Sequence, residues 1–149
     1  MTVLALQAAK YLCRKSKWRY SNLELQKLIY IAQVFHVGVE KSPLVLGDFE
    51  AWKYGPVHPG LYRYLRVFGA KPIPETYSVF NVISDIREGS AKVWLNDAFR
   101  SFPPSSQIGP YLMGLTHREK GAWKRHYKPD RNEIIPISSI EDEYKALYA

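Results

Sequence analysis

Ser21-Asn22-Leu23-Glu24-Leu25-Gln26-Lys27-Leu28-Ile29-Tyr30-Ile31-Ala32-Gln33-Val34-Phe35-His36-Val37-Gly38 decides how this chain is built. Ser21 and Glu24 match a capping box, in which the serine oxygen and the glutamate carboxylate each take one of the free amides at a helix start. Such a cap contributes about 1 kcal/mol and sets where the helix begins. From Asn22 to Val37, Leu25, Leu28, Ile29, Ala32 and Phe35 recur at helical spacing. Leu23, Tyr30, Ile31 and Val34 widen that stripe around most of the cylinder. A helix apolar on nearly all sides is expected at the centre of a fold, touched by several others. Gly38 is the expected stop. His36, near that end, is expected to be a partly buried histidine favoured by the helix dipole.

On the N-terminal side, Thr2 is the expected cap of a helix from about Val3 to Lys15, with Val3, Leu6, Ala9 and Leu12-Cys13 facing in. Cys13 on that face reads as a small core residue, and Trp18 in the following connection as a core anchor. On the C-terminal side, Ser42-Pro43 breaks the chain and Leu44-Val45-Leu46 packs as a short apolar piece. Phe49-Glu50-Ala51-Trp52-Lys53-Tyr54-Gly55-Pro56-Val57-His58-Pro59-Gly60-Leu61-Tyr62-Arg63-Tyr64-Leu65 follows. It reads as an extended arm around Trp52, a rigid bend from Gly55 to Pro59, and a helix ending near Gly69.

Lys71-Pro72-Ile73-Pro74 is an extended crossing. Residues Tyr77 to Ile86 alternate weakly and are expected to be loop with a possible strand. Ser90 is the expected cap of a helix from about Ala91 to Phe102, stopped by Pro103-Pro104. Ser105-Ser106 restarts a helix through Leu115, and Thr116-His117 ends it. Gly121 marks a turn before Trp123. Ile134 to Ile137 is a strand candidate limited by Pro136, and Ser138 or Ser139 caps a last helix through Tyr148. The expected fold is α+β, mainly α: a compact single-domain helical fold around the central helix at 22–37, with a small β arm or sheet. That sheet would join the Trp52 arm to the Ile134 segment. At 149 residues the chain is one domain by length, 1–149.

Composition narrows function. One cysteine excludes an internal disulfide framework and a multi-cysteine zinc motif. No apolar run is long enough to span a bilayer, so no membrane is expected and cytoplasmic is the default location. The net charge is +7 and the pI near 9.5. Lys10, Arg14, Lys15, Lys17 and Arg19 lie close together without an acid. Trp123-Lys124-Arg125-His126-Tyr127-Lys128 mixes charge with rings. Both suit phosphate contact with base stacking, but the enclosed central helix cannot lie in a groove and read bases. Weak, salt-dependent nucleic-acid binding is the most this predicts.

The catalytic patterns are missing. There is no His-Glu-x-x-His, no phosphate-cradling glycine loop and no Gly-x-Ser-x-Gly. The histidines His36, His58, His117 and His126 have no ligand spacing backed by a carboxylate. We therefore expect no enzyme, no cofactor and no metal. An enzyme using His58 or His117 would need a pocket with a convergent carboxylate.

Three blocks carry a family resemblance. They are Leu25-Gln26-Lys27-Leu28-Ile29-Tyr30-Ile31-Ala32-Gln33, then Phe49 to Val57 with Pro59 and Leu61-Tyr62, then Leu115-Thr116-His117 with Trp123. In this order they resemble the Panacea domain of the SocA-like antitoxins, a phage- and plasmid-associated group. The resemblance runs from about Leu23 to the C-terminus. It implies a non-enzymatic antitoxin of a toxin–antitoxin system that binds and neutralises a co-encoded toxin. It also implies a AAA+ protease as a second partner, to which such a protein delivers its toxin as an adaptor. The alternative is a basic nucleic-acid-binding accessory protein of a mobile element. For a partner-binding surface, Lys53, Tyr54, His58, Tyr62, His117 and Trp123 are the candidates, since rings and cations around a rigid corner suit a protein hot spot.

Overall fold

The computed structural model describes residues 2–149. Eight helices and three short strands follow one another: α1 (Ala5–Lys15), α2 (Asn22–Glu40), β1 (Phe49–Trp52), β2 (Gly55–Val57), α3 (Pro59–Leu65), α4 (Val79–Val82), α5 (Ser90–Ser101), α6 (Ile108–Thr116), α7 (Ala122–His126), β3 (Glu133–Ile135) and α8 (Ile137–Leu147). The fold is α+β and mainly α, as the sequence predicts.

Helix α2 is the axis. It packs against α1, α3, α5, α6, α8 and β2, and Leu25, Leu28, Ile29, Tyr30, Ala32 and Val34 are sealed inside. Its capping box is present: the Ser21 hydroxyl accepts from the Glu24 amide at 3.3 Å and Glu24 Oε1 accepts from the Ser21 amide at 2.8 Å. The expected stop at Gly38 is corrected. The helix runs on to Glu40 and ends at Lys41, which takes the left-handed conformation (φ 61°). Gly38 is instead a contact residue: a Cβ there would lie 2.0 Å from Cγ of Tyr144 on α8. The glycine lets the two helices approach; it does not end one.

The strands form one antiparallel sheet in the order β2-β1-β3. Trp52 pairs with Gly55 and Phe49 with Ile135, so the Trp52 arm and the Ile134 segment meet as expected. Phe49 and Ala51 point into the core while Glu50 and Trp52 share the outer face. Pro56, which has no amide to donate, sits on the edge strand where this is tolerated.

Several helix starts differ from expectation because the serines and threonine are used elsewhere. Thr2 does not cap α1; its hydroxyl donates to the Pro43 carbonyl at 3.0 Å. Val3 pairs with Val45 as an isolated parallel bridge, and the helix begins at Ala5, where Gln7 Oε1 accepts from the Leu4 amide at 2.9 Å. Ser90 is the first residue of α5, its cap being Gly89, and its hydroxyl bonds Nε2 of His36 at 2.8 Å. The other nitrogen of His36 bonds the Ser42 carbonyl at 2.6 Å. His36 is therefore a fully buried tie between three segments rather than a partly buried one. The restart after Pro104 comes later than Ser105-Ser106, at Ile108. Pro136 precedes α8 in place of Ser138 or Ser139. Residues 77–86 hold the short helix α4 and no strand, with Phe80 packed against Trp18 and Tyr77. Among the described residues, no helix is long and apolar enough to cross a membrane.

Candidate functional site

The corner from Phe49 to Leu65 is held to α2 by polar side chains that the helix buries. Gln26 Oε1 accepts from the His58 amide at 2.8 Å. One helical turn on, the Tyr30 hydroxyl donates to Glu143 Oε1 at 2.7 Å, and the same carboxylate oxygen accepts from the Ala122 amide at 2.9 Å. Burial pushes the Glu143 carboxyl up and the Tyr30 hydroxyl well up. Gln33 Oε1 accepts from the amides of Leu44 and Val45 at 2.7 and 3.2 Å. Each of these groups ties a separate segment to the central helix and satisfies buried backbone or, for Tyr30, a buried carboxylate.

Lys27 is the exception. It is sealed from solvent, yet Nζ is the one buried side-chain polar atom among the described residues without a hydrogen-bond partner. Burial holds its amine down at about 8. It lies under the β1–β2 turn. A Cβ at Gly55 would sit 2.8 Å from Lys27 Nζ and 3.3 Å from Cε1 of His117. Gly55 has φ +120°, so both its backbone and the space it leaves require glycine.

Around this point the candidate residues separate. Lys53 and Tyr54 form the two-residue turn of the hairpin. Tyr54 is 60% exposed, and the Lys53 ammonium lies 5.4 Å from its ring centroid. Tyr62 on α3 meets the Trp52 ring edge-on at 4.9 Å. His117, half-buried at the end of α6, packs 3.8 Å from the Trp123 ring, and Trp123 stacks on Tyr127. Trp123 itself is buried, its indole N–H donating to the Trp52 carbonyl at 2.6 Å. His117 Nδ1 donates to the Met113 carbonyl at 2.6 Å. Burial, with the cations Lys27 and Lys124, holds its imidazole below the usual value, against the Met113 contact, which works the other way.

His58 lies inside. Its Nδ1 accepts from the Leu61 amide at 3.1 Å, capping α3, and its Nε2 donates to the Leu46 carbonyl at 2.8 Å. Those bonds use both ring nitrogens within the fold, and the ring meets Phe49 edge-on. The structure thus brings Lys53, Tyr54, Tyr62, His117 and Trp123 around one hairpin turn and gives His58 a scaffold role beneath it.

Sequence periodicity missed Lys27. A lysine between Gln26 and Leu28 looks like a surface letter, but on a helix enclosed all round there is no surface for it to face. It also missed an aromatic groove of about 230 Å³ beside α2, lined by Ile31, Phe35, Trp94, Tyr111, Leu115 and Tyr148. Arg118 lies over the Tyr148 ring there at 5.6 Å. Among the described residues no group of three or more His, Cys, Asp or Glu side chains is set to hold a metal ion. Cys13 is sealed in the core with its thiol pushed up to about 12, which leaves it unreactive near neutral pH.

The fold and this corner define a mainly helical α+β protein wrapped on one enclosed helix, with rings and cations gathered at a hairpin turn. The chain belongs to the SocA-like antitoxin family. The family described as "Antitoxin SocA-like, Panacea domain" matches residues 25–97, which contain both the α2 block and the hairpin. The Antitoxin SocA of Caulobacter vibrioides (strain NA1000 / CB15N) is 36% identical over 115 residues, covering 69% of this chain and 57% of that protein. The chain therefore spans a little over half the length of that relative. No solved structure matches.

Proposed function

We propose that this chain, as one Panacea-like unit over residues 1–149, is an antitoxin that binds and neutralises a toxin encoded beside it. Family membership supports the antitoxin role. The observation that carries the choice of surface is Tyr54, a large ring 60% exposed at a rigid turn with Lys53 against it. Exposed rings on rigid backbone are the usual anchors of protein interfaces. In this reading Lys53, Tyr54, Tyr62 and His117 meet the toxin, while Trp123 and His58 hold the surface in shape. A AAA+ protease is a further partner, with the toxin-loaded chain as adaptor. No catalytic step is assigned to the chain.

The test is co-expression with the product of the adjacent reading frame. That product alone arrests growth, the pair restores it, and the two co-purify. A neighbour that is harmless alone, or toxic but unbound, overturns the proposal.

A second reading, nucleic-acid binding, is favoured by a cleft of about 280 Å³ between α1 and α5. Lys10, Arg14, Lys15 and Lys92 line it around Tyr11, with Asp85 as its one acid. Asp85 is paired with Arg14 at 2.6 Å and Lys10 at 3.2 Å, and Lys92 with Glu88 at 2.6 Å, so much of the charge is already answered. Retention of DNA or RNA that falls steeply with salt supports it; no retention at low salt removes it.

A further inference from the structure

Lys27 is a cation kept where a folded chain gains nothing from it. Its neighbours on α2, namely Gln26, Tyr30 and Gln33, all bond segments of the fold. Its own Nζ bonds nothing, although it is sealed. A buried ammonium without an acceptor is unfavourable, and each such group calls for an explanation, a ligand from outside the chain among them. The space for it exists because Gly55 has no side chain. His117 from the end of α6 meets the same position as Lys27 Nζ, Lys124 acts on that imidazole from α7, and Lys53 and Tyr54 precede Gly55 in the turn. Glu119, the acid nearest in sequence to these, is taken up by Lys124 at 3.7 Å.

We propose that Lys27 is the anchor for a carboxylate of the bound partner, an Asp or Glu side chain received at the β1–β2 turn between Gly55 and His117. The partner rests on the antitoxin reading above; the chemistry does not. A carboxylate fits on three grounds. It is the common anion of protein side chains near neutral pH. It accepts from several N–H groups at once, which an unpartnered ammonium supplies. It also meets Lys53, an exposed cation two residues before Gly55 in the turn. On arrival it favours the charged form of Lys27, and of His117 beside it, so binding takes up protons.

The experiment measures affinity of the full chain for the neighbouring gene product across pH, with wild type and Lys27→Met. The dissociation constant of the wild type is expected to rise about tenfold per pH unit above roughly pH 8, one proton being linked to binding. Lys27→Met is expected to bind about 30-fold or more weakly near neutral pH, with that alkaline slope gone. Binding by the wild type that is flat with pH and equal in Lys27→Met overturns the anchor and leaves the antitoxin proposal standing. If the wild type does not bind its neighbour at all, the antitoxin proposal fails, and the anchor is decided on the chain alone. There, the ¹⁵Nζ resonance of Lys27 is titrated with and without formate, the smallest carboxylate. A higher pKa with formate supports the anchor, and an unchanged one overturns it. That arm uses no variant and so does not depend on how Lys27→Met folds.

Discussion

Replacing Lys27 with methionine is expected to make the protein more stable, by an amount that depends on pH. In the wild type the ammonium is sealed, has no hydrogen-bond partner, and is held at about 8. The unfolded chain holds the same group near 10.4. Below pH 8 both states are charged and the folded one bears the whole penalty, about 3 kcal/mol at 1.36 kcal/mol per unit. Between about pH 8 and 10.4 the unfolded chain binds more protons than the folded one, so wild-type stability rises with pH through that window. Above it the penalty is gone. Methionine matches the length of the lysine stem and carries no charge; imperfect packing subtracts about 1 kcal/mol. The variant is therefore expected to exceed wild type by about 2 kcal/mol near pH 7, roughly 4–8 °C in Tm for a chain of this size. The gap closes, or changes sign, near pH 10.5. Urea titrations of both proteins at about pH 7, 9 and 10.5, followed by circular dichroism, measure it. A variant less stable than wild type near pH 7, or a gap that does not change with pH, would refute the reasoning, because the amine would then have a partner in the folded chain.

Three other variants test the fold and the surface. Gly38→Ala places a methyl 2.0 Å from Tyr144 Cγ, which forces α2 and α8 apart; a loss of about 3 kcal/mol in unfolding free energy is expected by urea titration, and a neutral effect would show that the helices are not in contact there. Ser21→Ala removes the cap that accepts from Glu24 and is expected to lower stability by about 1 kcal/mol, read in the same titration. Lys53→Glu together with Tyr54→Ala alters only exposed groups at the turn. Stability should stay within about 0.5 kcal/mol of wild type while affinity for the neighbour-encoded protein falls at least tenfold by calorimetry; unchanged affinity would move the docking surface elsewhere.

What could be read from the residues, and what could not, follows from how many partners each decision involves. The start of α2 rests on Ser21 and Glu24, which answer each other locally, and both bonds are present. The sheet was legible because Trp52 and Ile134 lie in the short segments suited to strand. The starts of α1, α5 and α8 were not, because a lone serine or threonine has more than one use. Ser90 turned to His36, 54 residues away in sequence, and Thr2 to Pro43, 41 residues away. Gly38 had the composition of a helix end but the job of a helix crossing, a difference set by Tyr144, which no local window contains. His58 sits in a stretch rich in rings and read as outward-facing. Its two nitrogens are instead taken by Leu61 and Leu46, and the fold closes over it.

The same logic explains why the α2 block looks like a family signature yet says little about a site when read as letters. Hydrophobic periodicity sorts residues by face, and α2 has no solvated face along most of its length. Every polar residue on it must therefore bond something inside or remain unanswered. Gln26 secures the His58 corner, Tyr30 secures α7 and α8 through Glu143, and Gln33 secures the chain after Pro43. These three explain themselves as scaffold, since removing any one would orphan buried backbone or a buried carboxylate. Lys27 cannot be explained that way, because its removal orphans nothing. A residue that weakens the free protein and relieves no other group has its reason outside the free protein. On the proposal above, that reason lies at the β1–β2 turn beside Gly55, where a partner's carboxylate would meet it.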